Sequence, residues 1–304
     1  IDTIATRTEI NDYLNNTIPG ESDEFDSIDM VNYLKNIRVS ANQRVESDNQ
    51  IAVVVASGSI MDGEQPEGSI GGDTLAGIFS NLREDEKVKA IVLRIDSGGG
   101  SAFASEIIRD SINVTRAEGV PVVVSMGSVA ASGGYWIAAE TDRVLAMSTS
   151  ITGSIGVWGV IPTIDRSLAK LGVYSDGVGT NDISSMMQID RPLSKPAQAI
   201  IQSGVDNIYT RFLALVASGR DSTPDKIHEI AQGRVWTGTQ AIDNGVIDEI
   251  GDLKDAIEVA ALLAEIQDYT IDYPRKEMTP FETLITEINK NVARFLGAIG
   301  ITPK

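Results

Sequence analysis

The chain has 304 residues, 42% hydrophobic and 22% charged, a balance that supports a large buried core and excludes collagen-like, coiled-coil and disordered proteins. With no cysteine and one histidine, His228, it can hold no disulfide, thiolate nucleophile, cysteine-bound metal or multi-histidine metal site. A formal charge of −18 repels phosphates, so neither nucleic acid nor an anionic lipid surface is an expected partner.

No apolar run of about 18 residues is present to span a bilayer, and no basic stretch leads into an apolar one as in a signal peptide. The chain opens at Ile1 rather than Met, so it reads as an excised or processed piece with any targeting element upstream. Residues 1–50 hold ten acidic side chains against four basic ones, which predicts an acidic connector of short helices.

From residue 51 the pattern becomes that of an α/β domain reaching to residue 273. Ile51 to Ala56 is an unbroken apolar run, as expected of a strand buried on both faces. Asp73-Thr74 predicts the cap of a helix through Leu82; Val88 to Ile95 reads as a strand, Ala102 to Ala117 as a helix, and Pro121 to Met126 as a strand. A short helix is expected from Ser132 to Glu140, then strands near Val144 to Met147 and Ile155 to Ile161. A long amphipathic helix follows from Lys195 to Ser218, closed by Gly219, with shorter helices near Thr223 to Ala231, Gly238 to Asn244 and Asp252 to Ile266. Alternating short strands and helices define a mainly parallel sheet. Residues 274–304 are expected to hold a C-terminal amphipathic helix, Thr279 to Leu296, suited to the core, a neighbouring subunit or a membrane surface.

Two βα loops can carry chemistry. Asp96-Ser97-Gly98-Gly99-Gly100-Ser101 runs into a helix, so its backbone N–H groups can cradle a phosphate or an oxyanion, or form only a flexible turn. Neither the Walker pattern nor G-x-G-x-x-G is present, so no nucleotide cofactor is implied. In the next loop Ser132 opens a helix among alanines and glycines. It serves as the cap of that helix, or as a nucleophile with the Gly133 N–H aimed at an attacked carbonyl. Successive strand ends of a parallel sheet share one crevice, so the two loops face a common site suited to acyl transfer. The base is the gap: His228 stands among charged residues on a surface helix, and Lys170 and Lys195 lie on amphipathic helices where exposure is the default.

Arg94 to Ser101 resembles the glycine-rich loop of the signal peptide peptidase (protease IV) family. Ala130-Ala131-Ser132-Gly133-Gly134-Tyr135-Trp136-Ile137 is similar to its nucleophile segment, as are Thr152-Gly153-Ser154-Ile155-Gly156, Gly233 to Gly238 and Gly245 to Asp248 to further hallmarks. The resemblance runs from about Ile51 to Ala261. It implies a Clp-protease/crotonase-like spiral of ββα units and a serine–lysine dyad without metal or cofactor. Ser132 would be the nucleophile and Gly100 and Gly133 the oxyanion hole, with Gly98, Gly99, Ser101, Thr152, Gly153 and Ser154 along a peptide groove. Gly98 and Asp96 stand where the family has proline and asparagine, and Ser184 falls where its single-domain members carry the lysine.

Long members of that family fuse two halves, the first giving the lysine and the second the serine, and this chain resembles the second. The resemblance further implies signal peptides as substrates, an N-terminal half as lysine donor, a homotetramer, and the periplasmic face of a bacterial inner membrane, reached through a segment absent here. Two rival readings are a non-catalytic peptide-binding or assembly module, favoured by the missing lysine, and an acyl-CoA enzyme of the crotonase type.

Overall fold

Parallel strands with β-branched centres form the central sheet of the computed structural model, which describes residues 5–18, 25–30, 33–34 and 47–274. Contacts divide the chain into two units, Ile1–Glu46 and Ser47–Lys304. In the first, helix α1 (Arg7–Thr17) starts at a capping box: Glu9 N–H donates to the Thr6 hydroxyl while the Glu9 carboxylate accepts from Thr6 N–H. These hydrogen bonds hold the Glu9 carboxyl below its ordinary range, and no residue of α1 is buried.

The second unit runs β1 (Gln50–Ser57), β2 (Ser59–Met61), β3 (Ser69–Gly71), α2 (Gly72–Glu84), β4 (Val88–Ser97), α3 (Ala102–Ala117), β5 (Val122–Ala131) and α4 (Gly133–Trp136). It continues with β6 (Arg143–Ala146), β7 (Ile151–Gly153), α5 (Asp165–Lys170), α6 (Lys195–Gly219), α7 (Pro224–Ile230), β8 (Val235–Thr237), α8 (Gly238–Asp243), β9 (Glu249–Ile250), α9 (Leu253–Leu263) and β10 (Thr270–Asp272). The main sheet has the order β10-β1-β4-β5-β6-β9, all parallel; β7 joins the end of β5 and pairs antiparallel with β8.

Both faces of the sheet are covered, which explains the unbroken apolar run of β1. Ala52, Val54 and Ala56 face one core with Phe79, Ile108, Tyr135 and Phe212, whereas Ile51 and Val53 face a smaller core under α9. The expected α/β class is the observed one. Its most consequential detail is a β-bulge. Ile95 pairs with Met126 but Ser97 with Ala130, so β5 carries extra residues there, and the Asp96 carboxylate accepts the Val129 N–H at 3.1 Å. Beyond the bulge, Val129–Ala131 pair with β7 instead of β6.

Three local expectations change. Helix α2 starts at Gly72, one turn-position earlier, because the Thr74 hydroxyl accepts the Gln65 N–H rather than capping the helix. Helix α4 ends at Trp136, short of Glu140. No strand spans 155–161; the strand lies at Ile151–Gly153, held between β5 and β8, and Ile155 alone anchors the following segment in the core. The expected tail helix, Thr279 to Leu296, lies outside the described residues.

Candidate active site

Ser132 follows β5 directly, with φ 53° and ψ −119°, a conformation that an L-residue occupies at a cost of about 1–3 kcal/mol. What holds it is visible on both sides. Its N–H donates to the Gly153 carbonyl at 3.0 Å, and its own carbonyl accepts from the Tyr135 and Trp136 N–H groups, both at 2.9 Å. The backbone is therefore fully engaged while the side chain is not: Ser132 makes no capping hydrogen bond to α4. Of the two uses open to this hydroxyl, the helix cap is not the one taken.

The glycine-rich loop is clamped alongside. Ile60 N–H donates to the Gly99 carbonyl at 3.0 Å and Ser101 N–H to the Ile60 carbonyl at 2.9 Å, so β2 grips the loop from both sides of Gly100. At Gly100 the contact is so close that a Cβ would fall 2.0 Å from the Ile60 oxygen; only glycine fits. A Cβ on Gly133 would lie 2.6 Å from the Ser105 hydroxyl and 3.2 Å from the Gly100 nitrogen, which places the two glycine N–H groups near one another. Among the described residues no protein oxygen accepts from either. Two free N–H donors beside a free, strained serine can stabilise the oxyanion of an attacked carbonyl.

These groups open into a cavity of about 430 Å³. Gly98, Gly99, Gly100, Ser132, Gly133 and Ser154 line it, together with residues the sequence did not single out: Ser59, Trp136, Val157, Trp158, Ile208 and Phe212. Three others of the sequence-derived set lie beside the cavity rather than on its wall. The Ser101 hydroxyl accepts the Ala104 N–H as cap of α3 and donates to Asp62. Thr152 is buried and donates to the Ala130 carbonyl at 2.7 Å, while Gly153 receives the Ser132 N–H. Trp136 could have been suspected from its place in the nucleophile segment. Phe212 and Ile208 carry no signal beyond the apolar stripe of α6.

None of the residues lining this cavity is ionisable. His228 is exposed, its two ring nitrogens facing the Tyr209 hydroxyl at 2.8 Å and the Gln232 amide at 2.9 Å. Lys170 and Lys195 are exposed and line no part of it, and Ser184 is exposed and bonded to Asn181. Thus nothing on the described chain that could take the Ser132 proton reaches the cavity.

The remaining hallmark residues hold the site from behind. Trp236 donates to the Ile230 carbonyl at 3.1 Å and fixes β8, which in turn fixes β7 and the carbonyl of Gly153. Asp248 accepts from Arg220 at 2.8 Å and from the Val144 N–H at 2.7 Å. Beside this pair the buried Tyr135 hydroxyl donates to the Val246 carbonyl at 2.7 Å, and burial pushes its pKa up to about 12.

A hydroxyl lifted out on a strained βα turn, with unengaged N–H groups next to it, is an arrangement that can carry serine-type acyl transfer on an α/β fold. The chain belongs to peptidase family S49, which matches residues 114–267. It is 45% identical to Protease 4 of Salmonella typhi over 251 residues, 83% of this chain and 40% of that protein. It is 35% identical to the chloroplastic serine protease SPPA of Arabidopsis thaliana, over 72% of this chain and 33% of that one. The chain therefore spans two fifths or less of these relatives' length. Among solved structures it is similar to a ClpP1 mutant from Listeria monocytogenes, with a TM-score of 0.42 and 16% identity over 67% of this chain and 94% of the other.

Proposed function

We propose that this chain is the serine-bearing half of a serine–lysine peptidase, with Ser132 as nucleophile and the Gly100 and Gly133 N–H groups as oxyanion hole. The observation that carries the reading is the strained, uncapped Ser132 beside two undonated N–H groups in an open cavity. The Ser132 oxygen attacks the scissile carbonyl carbon as its proton passes to a neutral lysine amine. The tetrahedral oxyanion rests on the two glycine N–H groups. Collapse breaks the C–N bond, the lysine returns the proton to the leaving amine, and water then hydrolyses the ester left on Ser132. The lysine comes from an N-terminal half outside this chain, in keeping with relatives more than twice as long and a cavity free of ionisable groups.

The substrate class that suits the cavity is an extended apolar peptide, cleaved signal peptides included. The backbone is gripped along Gly98 to Gly100 and at Ser154, and side chains lie against Trp136, Val157 and Phe212. Assembly as a homotetramer at the periplasmic face of a bacterial inner membrane belongs to the same proposal. Among the described residues no helix is long and apolar enough to cross a membrane, so the anchor would lie elsewhere in the protein. Replacing Ser132 by Ala in the full-length protein is expected to lower peptide turnover by at least about 10⁴-fold and to abolish labelling by a fluorophosphonate probe. Turnover within tenfold of wild type would remove Ser132 from the mechanism.

A further inference from the structure

Outside the reacting atoms, one carboxylate accepts four hydrogen bonds. Glu106, on α3, accepts from Trp136 Nε1 at 2.9 Å and from Arg109 Nε at 2.8 Å through Oε2. Through Oε1 it accepts from Arg109 Nη2 and Arg211 Nη2, both at 2.9 Å. A carboxylate offers about four lone-pair sites, so this one is saturated. Its donors come from three elements that wall the Ser132 cavity: α3, α4 with Trp136 four residues past Ser132, and α6 with Arg211 beside Phe212. The Trp136 and Phe212 rings meet at 4.8 Å and both line the cavity.

We infer that Glu106 is a positioning residue that fixes the aromatic wall of the peptide site by anchoring the Trp136 indole, whose ring meets that of Phe212. The inference rests on the serine peptidase reading for its consequence but not for its geometry. Trp136 is only 4% exposed, and the Glu106 carboxylate is the acceptor that its indole N–H finds among the described residues. Arg109 keeps a second partner in Glu140, and Arg211 is largely exposed, so each guanidinium has an alternative that the indole lacks. The hydrogen bond from Arg109 is the largest influence holding the Glu106 carboxyl below its ordinary range, which keeps it an acceptor throughout the neutral range. Glu106 touches no group that reacts; it acts through the shape of the wall.

The test uses the full-length protein with Glu106→Gln, Glu106→Ala, Trp136→Phe and the Glu106→Ala/Trp136→Phe double variant. Glu106→Ala is expected to raise KM for apolar peptides about tenfold with kcat changed less than threefold, and to leave labelling of Ser132 by a small fluorophosphonate, which needs no aromatic wall, within twofold. Glu106→Gln, which keeps one acceptor, should recover most of the loss, and Glu106→Ala should add little to Trp136→Phe because the indole N–H is already gone. Equal losses of kcat and labelling, or additivity in the double variant, would overturn the inference. Trp136 quenching by acrylamide, read in a Trp158→Phe/Trp236→Phe background, gives a readout independent of activity: Glu106→Ala is expected to raise it, and unchanged quenching overturns the anchoring itself. An inactive wild type that shows the quenching change would instead sink the peptidase reading and leave the anchor standing.

Discussion

Two cavities open on opposite faces of the sheet, and the larger is not the one that Ser132 lines. The cavity beside α9 and β10, about 550 Å³, is lined by Arg94, Asp252, Lys254 and Glu258 as well as Leu253, Ile257 and Tyr269. The Ser132 cavity, about 430 Å³, has no ionisable lining at all. What distinguishes the second is backbone: a strained serine, two N–H groups without acceptors, and glycines pressed against carbonyl oxygens. In the first the polar groups are spoken for. Arg94 donates to the Ser125 hydroxyl and the Met126 carbonyl, Asp252 caps α9, and Lys254 pairs with Glu258. Charge lining a cavity reports solvent exposure there, whereas unsatisfied backbone in a tightly built loop reports a place prepared for a substrate oxygen.

The comparison breaks most readily at Gly100. An alanine there puts its Cβ 2.0 Å from the Ile60 oxygen, so the loop must move and take its N–H with it. Labelling of Ser132 by a fluorophosphonate is expected to fall by about 10²-fold or more, the usual consequence of losing one oxyanion donor. Wild-type labelling rates would show that this N–H plays no part. Next in size is Asp248→Ala. It removes the partner of Arg220, whose side chain is only 5% exposed, and the acceptor of the Val144 N–H. A loss of about 2–3 kcal/mol in unfolding free energy is expected by denaturant titration, since a buried guanidinium is left without its anion. A loss below about 0.5 kcal/mol would mean that Arg220 finds another partner.

Much of this contrast could be read before any coordinates. The glycines and small neighbours around Ser132 announced a tight turn, and β-branched runs such as Ile51 to Ala56 announced strands covered on both faces. The parts that could not be read are those made by distant segments meeting. Whether Ser132 caps its helix depends on φ and on the Gly153 carbonyl, which arrives from β7. Thr152 and Ser101 share the polar character of a groove residue, yet their hydroxyls are consumed by Ala130 and by Ala104 and Asp62. Glu106 looked like any charged position on an amphipathic helix; its four donors come from positions as far off as Arg211. Strand β7 was misplaced by a few residues because its identity comes from pairing with β8, more than 80 residues later, not from its own propensity.

Acid separates the two cavities more gently. A carboxyl kept below its ordinary range stands behind the wall of the Ser132 cavity and another lines the larger one: Glu106 is held so chiefly by its hydrogen bond from Arg109, Asp252 chiefly by the backbone N–H of Asp255 and then of Lys254. A lowered carboxyl stabilises the fold fully above the unfolded-state value of about 4, and that contribution disappears as pH falls through the lower folded value. Trp136 quenching is therefore expected to stay flat from pH 7 to about pH 5 and to rise only below about pH 4. A rise already at pH 6 would show that Glu106 is not held as an anion by Arg109.

The smallest effect expected is at Lys254, and its smallness is the point. Lys254 and Glu258 form an exposed pair one helical turn apart at 3.4 Å, with the lysine side chain 83% exposed. Pairs of this kind contribute about 0.3–0.5 kcal/mol, and salt screens them further. Lys254→Ala should therefore lower stability by no more than that and leave Ser132 labelling unchanged. A marked loss of labelling would instead couple the α9 face to the glycine loops through β4, where Arg94 and Ser97 lie three residues apart. The larger cavity would then have to be counted as part of the site.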